Sequence, residues 1–244
     1  MNDARPGTTV PDHRGRTGLH LTGLALDRNP RVEVSDVDLL AAGWHVLRAT
    51  TFRYRGDDGE WTTLTRETYD RGNGATILLY DPDRRTVLLT RQFRYPVYVN
   101  DHPDGMLIET AAGLLDDDDP VTAIRREAEE ETRVRVDEVQ HVFDVYMSPG
   151  SVTERLHFFA AAYDGAEREG DRGGLAEENE EIEIVEYDID VALAKIRDGS
   201  IQDAKTIMLL QWALLDGPSP GTEARHPRSG SGLRFPGKEK TLRA

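Results

Sequence analysis

Hydrophobic and polar positions along the middle of this chain repeat with two different periods, and the switches between them mark out its elements. Trp44 to Tyr54 and Glu60 to Tyr69 are β-branched and aromatic runs around the polar turn RGDDGE, the pattern of a hairpin. Ala75 to Tyr80 and Thr86 to Phe93 are apolar runs flanking an Asp-Pro-Asp turn, and Met106 to Thr110 is a shorter one. His141 to Met147 and Leu156 to Tyr163 read as further strands. Ile182 to Tyr187 alternates apolar with acidic residues, as a half-exposed strand does. Helical spacing appears in three places. In the segment 113–134, GLLDDDDPVTAIRREAEEETRV, Asp119 followed by Pro120 is a helix start, an Asp cap and then a proline whose missing N–H costs nothing there. Val121, Ile124 and Ala128 form the apolar stripe of that helix. Val191 to Arg197 and Ala204 to Leu215 are the other two helices, the last placing Met208, Leu209, Trp212 and Leu215 on one core-facing side. The expected architecture is α+β, an α/β/α sandwich with a mixed sheet between helices and a small β element in front.

The ends differ from the middle. Residues 1–32 carry Pro, Gly, Arg and Asp without periodicity and read as a flexible leader. Residues 217–244 read as a disordered tail that is locally basic, with six Arg/Lys against two Glu. Between them, 33–70 is expected to be an N-terminal β element and 71–216 the main domain. There is no internal repeat.

Composition narrows the class. The chain has 244 residues and no cysteine, which excludes disulfides and thiolate–zinc sites and fits an intracellular, cytoplasmic setting. No apolar run approaches a membrane span and no signal peptide is expected. A net charge of −15 argues against general nucleic-acid binding, which depends on cationic surface. It would also repel a phosphorylated substrate unless cations and local Arg or Lys reverse the sign within a site.

The acidic helix supplies the candidate chemistry. Glu127, Glu130 and Glu131 are separated by three and four residues and share a face beside the apolar stripe. Like charges so placed cost about 0.2–0.5 kcal/mol per pair and lie toward the negative end of the helix dipole. An acidic run on a helix is commonly a solvated face. A hard divalent cation would instead make it an oxygen-ligand site.

The segment resembles the Nudix hydrolase box. Gly113 stands at its first glycine, Arg126–Glu127 at its Arg-Glu pair, Glu130–Glu131 at its Glu pair and Val134 at its last apolar place. Three positions depart from it: Asp119 replaces the first Glu, the spacer 120–125 is one residue short, and Arg133 replaces the final glycine. The last change bears on the helix-to-strand turn, where glycine commonly takes a left-handed conformation. Across 44–215 the runs RETYDRGNGATILLYD, RQFRYPVYVN, IETAAGLLDDDDP, YMSPGSVTE and DGSIQDAKTIMLLQW resemble the GDP-mannose pyrophosphatase branch of the Nudix hydrolases, close to the ADP-ribose pyrophosphatases.

That resemblance implies a Nudix fold and Mg²⁺-dependent cleavage of a nucleoside-diphosphate sugar, with Mn²⁺ a possible substitute. It also implies a homodimer whose N-terminal strands help build the partner's site. By position it makes the Ala112 carbonyl, Glu127 and Glu131 metal ligands, with Glu130 and Arg126 supporting the cluster. The loop GGLAEENEEIEI makes Glu180 a ligand and Glu178 a candidate general base, and it matches the ADP-ribose enzymes slightly better. Glu154 corresponds to a place near the diphosphate. Arg94, and more weakly Arg91, correspond to a phosphate-binding arginine, and Lys205 to a substrate-contacting lysine. Trp44 corresponds to an aromatic that stacks the base across the dimer, with Arg66 nearby, although burial in the hairpin core is the alternative for Trp44. The implied reaction is GDP-mannose to GMP and mannose 1-phosphate. ADP-ribose cleavage to AMP and ribose 5-phosphate is the alternative within the same chemistry. A non-catalytic nucleotide-sugar-binding regulator, suggested by Arg133 and the basic tail, is opposed by the intact glutamates.

Overall fold

The computed structural model describes residues 28–115, 118–164, 170–174 and 181–217. Three antiparallel strands come first: β1 (Val32–Ala42), β2 (Val46–Arg55) and β3 (Trp61–Asp70), ordered β1-β2-β3. The β2–β3 turn closes as its polar sequence requires, with Gly56 N donating to Glu60 O at 2.9 Å and Glu60 N to Asp58 Oδ1 at 3.0 Å. β1 is a strand the periodicity did not reveal. Of its eleven residues only Val37 is buried, so VEVSDVDLLAA carries little inward–outward signal.

The second sheet follows the order β10-β11-β5-β4-β9-β8. Its strands are β4 (Gly74–Asp81), β5 (Thr86–Phe93), β8 (Gln140–Tyr146), β9 (Arg155–Ala162), β10 (Arg172–Gly173) and β11 (Ile182–Asp188). The β4–β9 pair is parallel and the other pairs are antiparallel, a mixed sheet as expected. β4 and β5 stay together only over Leu79–Asp81 and Thr86–Leu88, then diverge. Into the opening come β6 (Met106–Glu109) on β5 and β7 (Ala111–Leu114) on β4. Thr110 sits at the apex of this wedge, buried, its hydroxyl 2.8 Å from that of Thr76 and its N–H donating to Thr206 Oγ1 at 2.7 Å. The wedge is what carries Glu109, Ala112 and Gly113 to the mouth of the sheet.

Helices cover both faces. α1 (Tyr95–Tyr98) is a single turn; α2 (Pro120–Thr132), α3 (Ile189–Arg197) and α4 (Ala204–Leu215) are the longer ones. Alternation along β4 sends Ile77 and Leu79 toward Ile124 and Ala128 of α2, and Leu78 toward Ala192, Leu209 and Leu210 of α3 and α4. Two details differ from the sequence-based expectation. Val121, in the first turn of α2, is exposed, and Leu215, in the last turn of α4, is exposed as well.

α2 begins as its sequence dictates: Asp119 Oδ1 accepts from the N–H groups of Val121 and Thr122 at 3.0 and 3.1 Å. It ends at Arg133, which takes the left-handed conformation (φ 61°, ψ 17°) that a glycine would adopt more readily. A side chain there costs roughly 1 kcal/mol. Arg133→Gly is therefore expected to stabilise the fold by about 1 kcal/mol in urea denaturation. Unchanged or lowered stability would show that the Arg133 side chain, whose Nε donates to Arg172 O at 3.4 Å, offsets the strain.

Candidate active site

α2 lies over the β7 backbone, and this packing sets the carboxylates. A Cβ at Gly113 would fall 2.1 Å from Glu127 Cδ, so only glycine lets this carboxylate rest on the strand. One turn on, Glu131 is 4% exposed, and its Oε2 accepts from Ala112 N at 3.3 Å. An acidic run on a helix is commonly a solvated face, but the strand beneath Glu131 buries it. Glu130 is half-buried, and its carbonyl accepts from Gly174 N at 2.9 Å. Gly173 is pressed so close to the end of α2 that a Cβ would lie 1.8 Å from Glu131 O. Arg126 donates to Asp118 and, at 3.4 Å, to Glu127 Oε1, steadying the carboxylate from outside. Burial opposes the Arg126 charge, but Glu127 and Asp118 more than restore it and its pKa is raised. Asp119, at the box's first Glu position, is occupied in capping the helix.

A second group of charges adjoins this one. Glu109 is buried on β6, with Arg94 Nε 2.6 Å from its Oε2 and Lys205 Nζ 2.5 Å from its Oε1. Lys205 also reaches Asp203 Oδ1 at 2.9 Å. Burial would raise the Glu109 pKa, but Lys205 and Arg94 override it and hold the carboxyl below its ordinary value. Burial likewise works against the Arg94 charge, and Glu109, with a contribution from Glu131, leaves its pKa raised. Arg94 therefore lies within electrostatic reach of the α2 carboxylates. Glu109 was missed in the sequence. The available signal was an acidic residue inside the apolar run MLIE, which must be paired if it is buried.

Glu154 flanks the same patch. The position of a Cβ on Gly74 would be 3.7 Å from Glu154 Oε1 and 2.9 Å from Gly113 O, and Arg71 Nε stands 3.5 Å from Glu154 Oε1. The structure thus gathers Ala112, Glu127, Glu130, Glu131, Arg126, Glu154, Arg94 and Lys205 around the β6–β7 wedge. Arg91 instead makes surface ion pairs, its Nη1 3.1 Å from Glu183 and its Nη2 3.6 Å from Asp104. Trp44 belongs to the β1–β2 turn of the other sheet and is 63% exposed, so it is not buried in a hairpin core. Its ring meets His45 edge-on at 6.2 Å. Arg66 is not beside it: Thr50 faces Arg66 while Val46 faces Asp70, a separation of four residues or about 13 Å along the strand. Glu178 and Glu180 lie outside the described residues.

The donor set suits a hard divalent cation. Two carboxylates and a β7 backbone segment converge at a glycine-made contact, and oxygen donors are what Mg²⁺ and Mn²⁺ prefer.

This chain belongs to the Nudix hydrolases, for the NUDIX domain family matches residues 70–210. Residues 31–69 match the GDP-mannose pyrophosphatase NudK N-terminal domain. The chain is similar to the GDP-mannose pyrophosphatase of Yersinia enterocolitica, 53% identical over 187 residues that span 77% of this chain and 97% of that protein. Its identity to the GDP-mannose pyrophosphatase of Cronobacter sakazakii is 50% over 186 residues, 76% of this chain and 96% of the relative. A crystal structure of an ADP compounds hydrolase matches with a TM-score of 0.58 at 15% identity, covering 77% of this chain and 96% of that one, a likeness of fold. Nudix hydrolases depend on divalent metal, in keeping with the donor set described above. Among the described residues no helix is long and apolar enough to cross a membrane.

Proposed function

We propose that this chain hydrolyses the diphosphate of GDP-mannose to GMP and mannose 1-phosphate, with Mg²⁺ as its cation and Mn²⁺ as a substitute. The observation that carries the reading is the carboxylate pair of α2 seated on Ala112–Gly113 beside the Arg94–Glu109–Lys205 network, in a chain half identical to GDP-mannose pyrophosphatases. The Ala112 carbonyl, Glu127 and Glu131 hold the cation, with Glu180 as a further ligand. Divalent metal there would neutralise charge developing on the diphosphate oxygens. Arg94 and Lys205 supply fixed positive charge to the same diphosphate, which an otherwise acidic molecule needs for an anionic substrate. Glu178 acts as general base. It takes a proton from the water whose oxygen bonds to phosphorus as the bridging P–O bond breaks. Glu154 and Glu130 orient that water and the ligands, and Arg126 fixes Glu127.

The dimer belongs to the same reading. Strands β1–β3 form a three-stranded sheet with exposed Leu39, Leu40, Trp44, Tyr54 and Tyr69 and few buried residues. Such a sheet is marginal without a surface to pack on. A second copy supplies it, the 33–70 element forms the interface, and Trp44 contributes to the partner's base pocket, with Arg66 farther along the same sheet. The working molecule is then a dimer of 27.3 kDa chains, placed in the cytoplasm. Trp44→Ala is expected to raise KM by about tenfold, the scale of one stacked base, with kcat and thermal stability nearly unchanged. A fall in melting temperature with constant KM would contradict this.

The loop 173–184, GGLAEENEEIEI, favours ADP-ribose as a second reading. Turnover of both compounds with Mg²⁺, and with EDTA as control, separates the two. GMP and mannose 1-phosphate formed faster, and only with metal, support the proposal. A tenfold preference for ADP-ribose overturns it.

A further inference from the structure

A cluster of metal-ligand side chains away from the α2 carboxylates has no part in the chemistry above. On the edge strand β8 and its neighbour β9, Asp144 Oδ1 lies 2.8 Å from His141 Nε2 and 2.7 Å from His157 Nδ1. All three donor atoms fall within 4.8 Å of one another. The strand register explains how this comes about. Residues three apart on a regular strand point to opposite faces, so His141 and Asp144 should not meet on one side. Here β8 has a bulge: His141 faces Phe159 and Phe143 faces Phe158, two residues against one. The bulge inverts the alternation and brings His141 and Asp144 to the face occupied by His157. Bulges of this kind re-aim side chains and occur preferentially beside functional sites. His141 is held further by an edge-on contact with Phe159, ring centres 5.5 Å apart.

We propose that His141, Asp144 and His157 form a second metal site, selective for a divalent transition ion of the Zn²⁺ class. Two imidazole nitrogens and one carboxylate are the donor set such ions prefer and Mg²⁺ does not. Zinc–ligand bonds of about 2.0–2.2 Å put neighbouring donors about 3.3 Å apart, so the hydrogen-bonded cluster opens by roughly half an ångström to admit the ion. His157 is nearly buried while His141 is half exposed, which leaves the remaining coordination positions facing solvent. The site is distinct from the α2 carboxylates yet on the same face of the sheet. Gly113 pairs with Ala75, Ala75 with His157 and His157 with Asp144. At 4.7–4.9 Å per strand, the cluster lies about 10–15 Å from Gly113. An ion there ties the edge strand β8 to β9, the strand that pairs with β4.

The test is Co²⁺ titration of the full chain in the presence of a large excess of Mg²⁺, which saturates oxygen-ligand sites. The visible d–d absorption of Co²⁺ is the readout. The expected result is one equivalent bound, unchanged by Glu127→Gln. In His141→Ala and Asp144→Asn, affinity is expected to fall about 100-fold, since even outer-sphere partners of metal ligands are worth 10–100-fold. His141 is exposed enough that its alanine variant should keep the wild-type near-UV circular dichroism, which separates ligand loss from unfolding. The proposal is overturned if the absorption survives both substitutions, if Mg²⁺ competes it away, or if no absorption develops. The last result would leave the cluster a hydrogen-bonded triad. None of these readouts depends on catalysis, so they stand or fall separately from GDP-mannose hydrolysis.

Discussion

Glu131→Gln is expected to lower Mg²⁺-dependent turnover of GDP-mannose by about 100-fold or more, the scale for removing one group that organises charge in a transition state. The loss should be steepest at limiting Mg²⁺. The substitution is nearly isosteric. The amide oxygen still accepts from Ala112 N, the bond that fixes the side chain to β7. The packing of a residue only 4% exposed is preserved. What disappears is one negative charge next to Glu127, and relief of that repulsion offsets part of the weakened attraction to Arg94. The variant should therefore unfold within about 1 kcal/mol of wild type while its dependence on Mg²⁺ shifts to far higher concentration. Glu127→Gln should behave alike, since the amide oxygen still accepts from Arg126 Nη2 and lies against Gly113. Near wild-type rates at limiting Mg²⁺ in either variant would sink the assignment of these two residues as ligands.

Glu109→Gln should act in the opposite way, on stability first. Its carboxylate joins Arg94 and Lys205, and its removal leaves two cations facing each other around a neutral amide. Breaking a buried pair by removing one partner costs roughly 3–5 kcal/mol. The lower end, about 3 kcal/mol, is expected here, because Lys205 keeps Asp203 and Arg94 is 37% exposed. The pH dependence follows from the direction of the shift. The folded-state pKa of Glu109 is below its ordinary value of 4.5, because its two cations outweigh burial. Its stabilising contribution is thus complete above that ordinary value and is lost as pH falls through the folded one. Urea unfolding of wild type should show this loss in the acid range, and the part due to residue 109 should vanish in Glu109→Gln. Equal stability of the two proteins at pH 7 would show that the network contributes nothing to the fold. In catalysis the same variant should raise KM, as Arg94 and Lys205 lose the group that aims them.

The box helix was the most legible element. Asp119–Pro120 announces the start of α2, and the spacing of Ile124 and Ala128 fixes the buried stripe that turns Glu127 and Glu131 toward β7. β4, β5 and β9 were legible for a related reason: strands covered on both faces read as continuous apolar runs. β1 was not, because a strand with one buried residue has no period to detect. The depth of Glu131 was not legible either, since helical periodicity gives the face but not the strand lying across it. Glu109 meets Lys205 across 96 residues of sequence, a contact created by the β6–β7 wedge rather than by any local pattern. The histidine cluster depends on a bulge that shifts the alternation of β8 by one residue, and strict alternation would have separated His141 from Asp144. Arg133 shows the reverse situation. Its departure from glycine is plain in the sequence, yet the left-handed turn forms regardless, at a modest energetic cost.

Anomalous diffraction from crystals soaked in Mn²⁺ is the most direct measurement. A peak bounded by the Ala112 carbonyl, Glu127 and Glu131 is the predicted result. Carboxylates turned away to solvent, with no peak between them, would contradict the account.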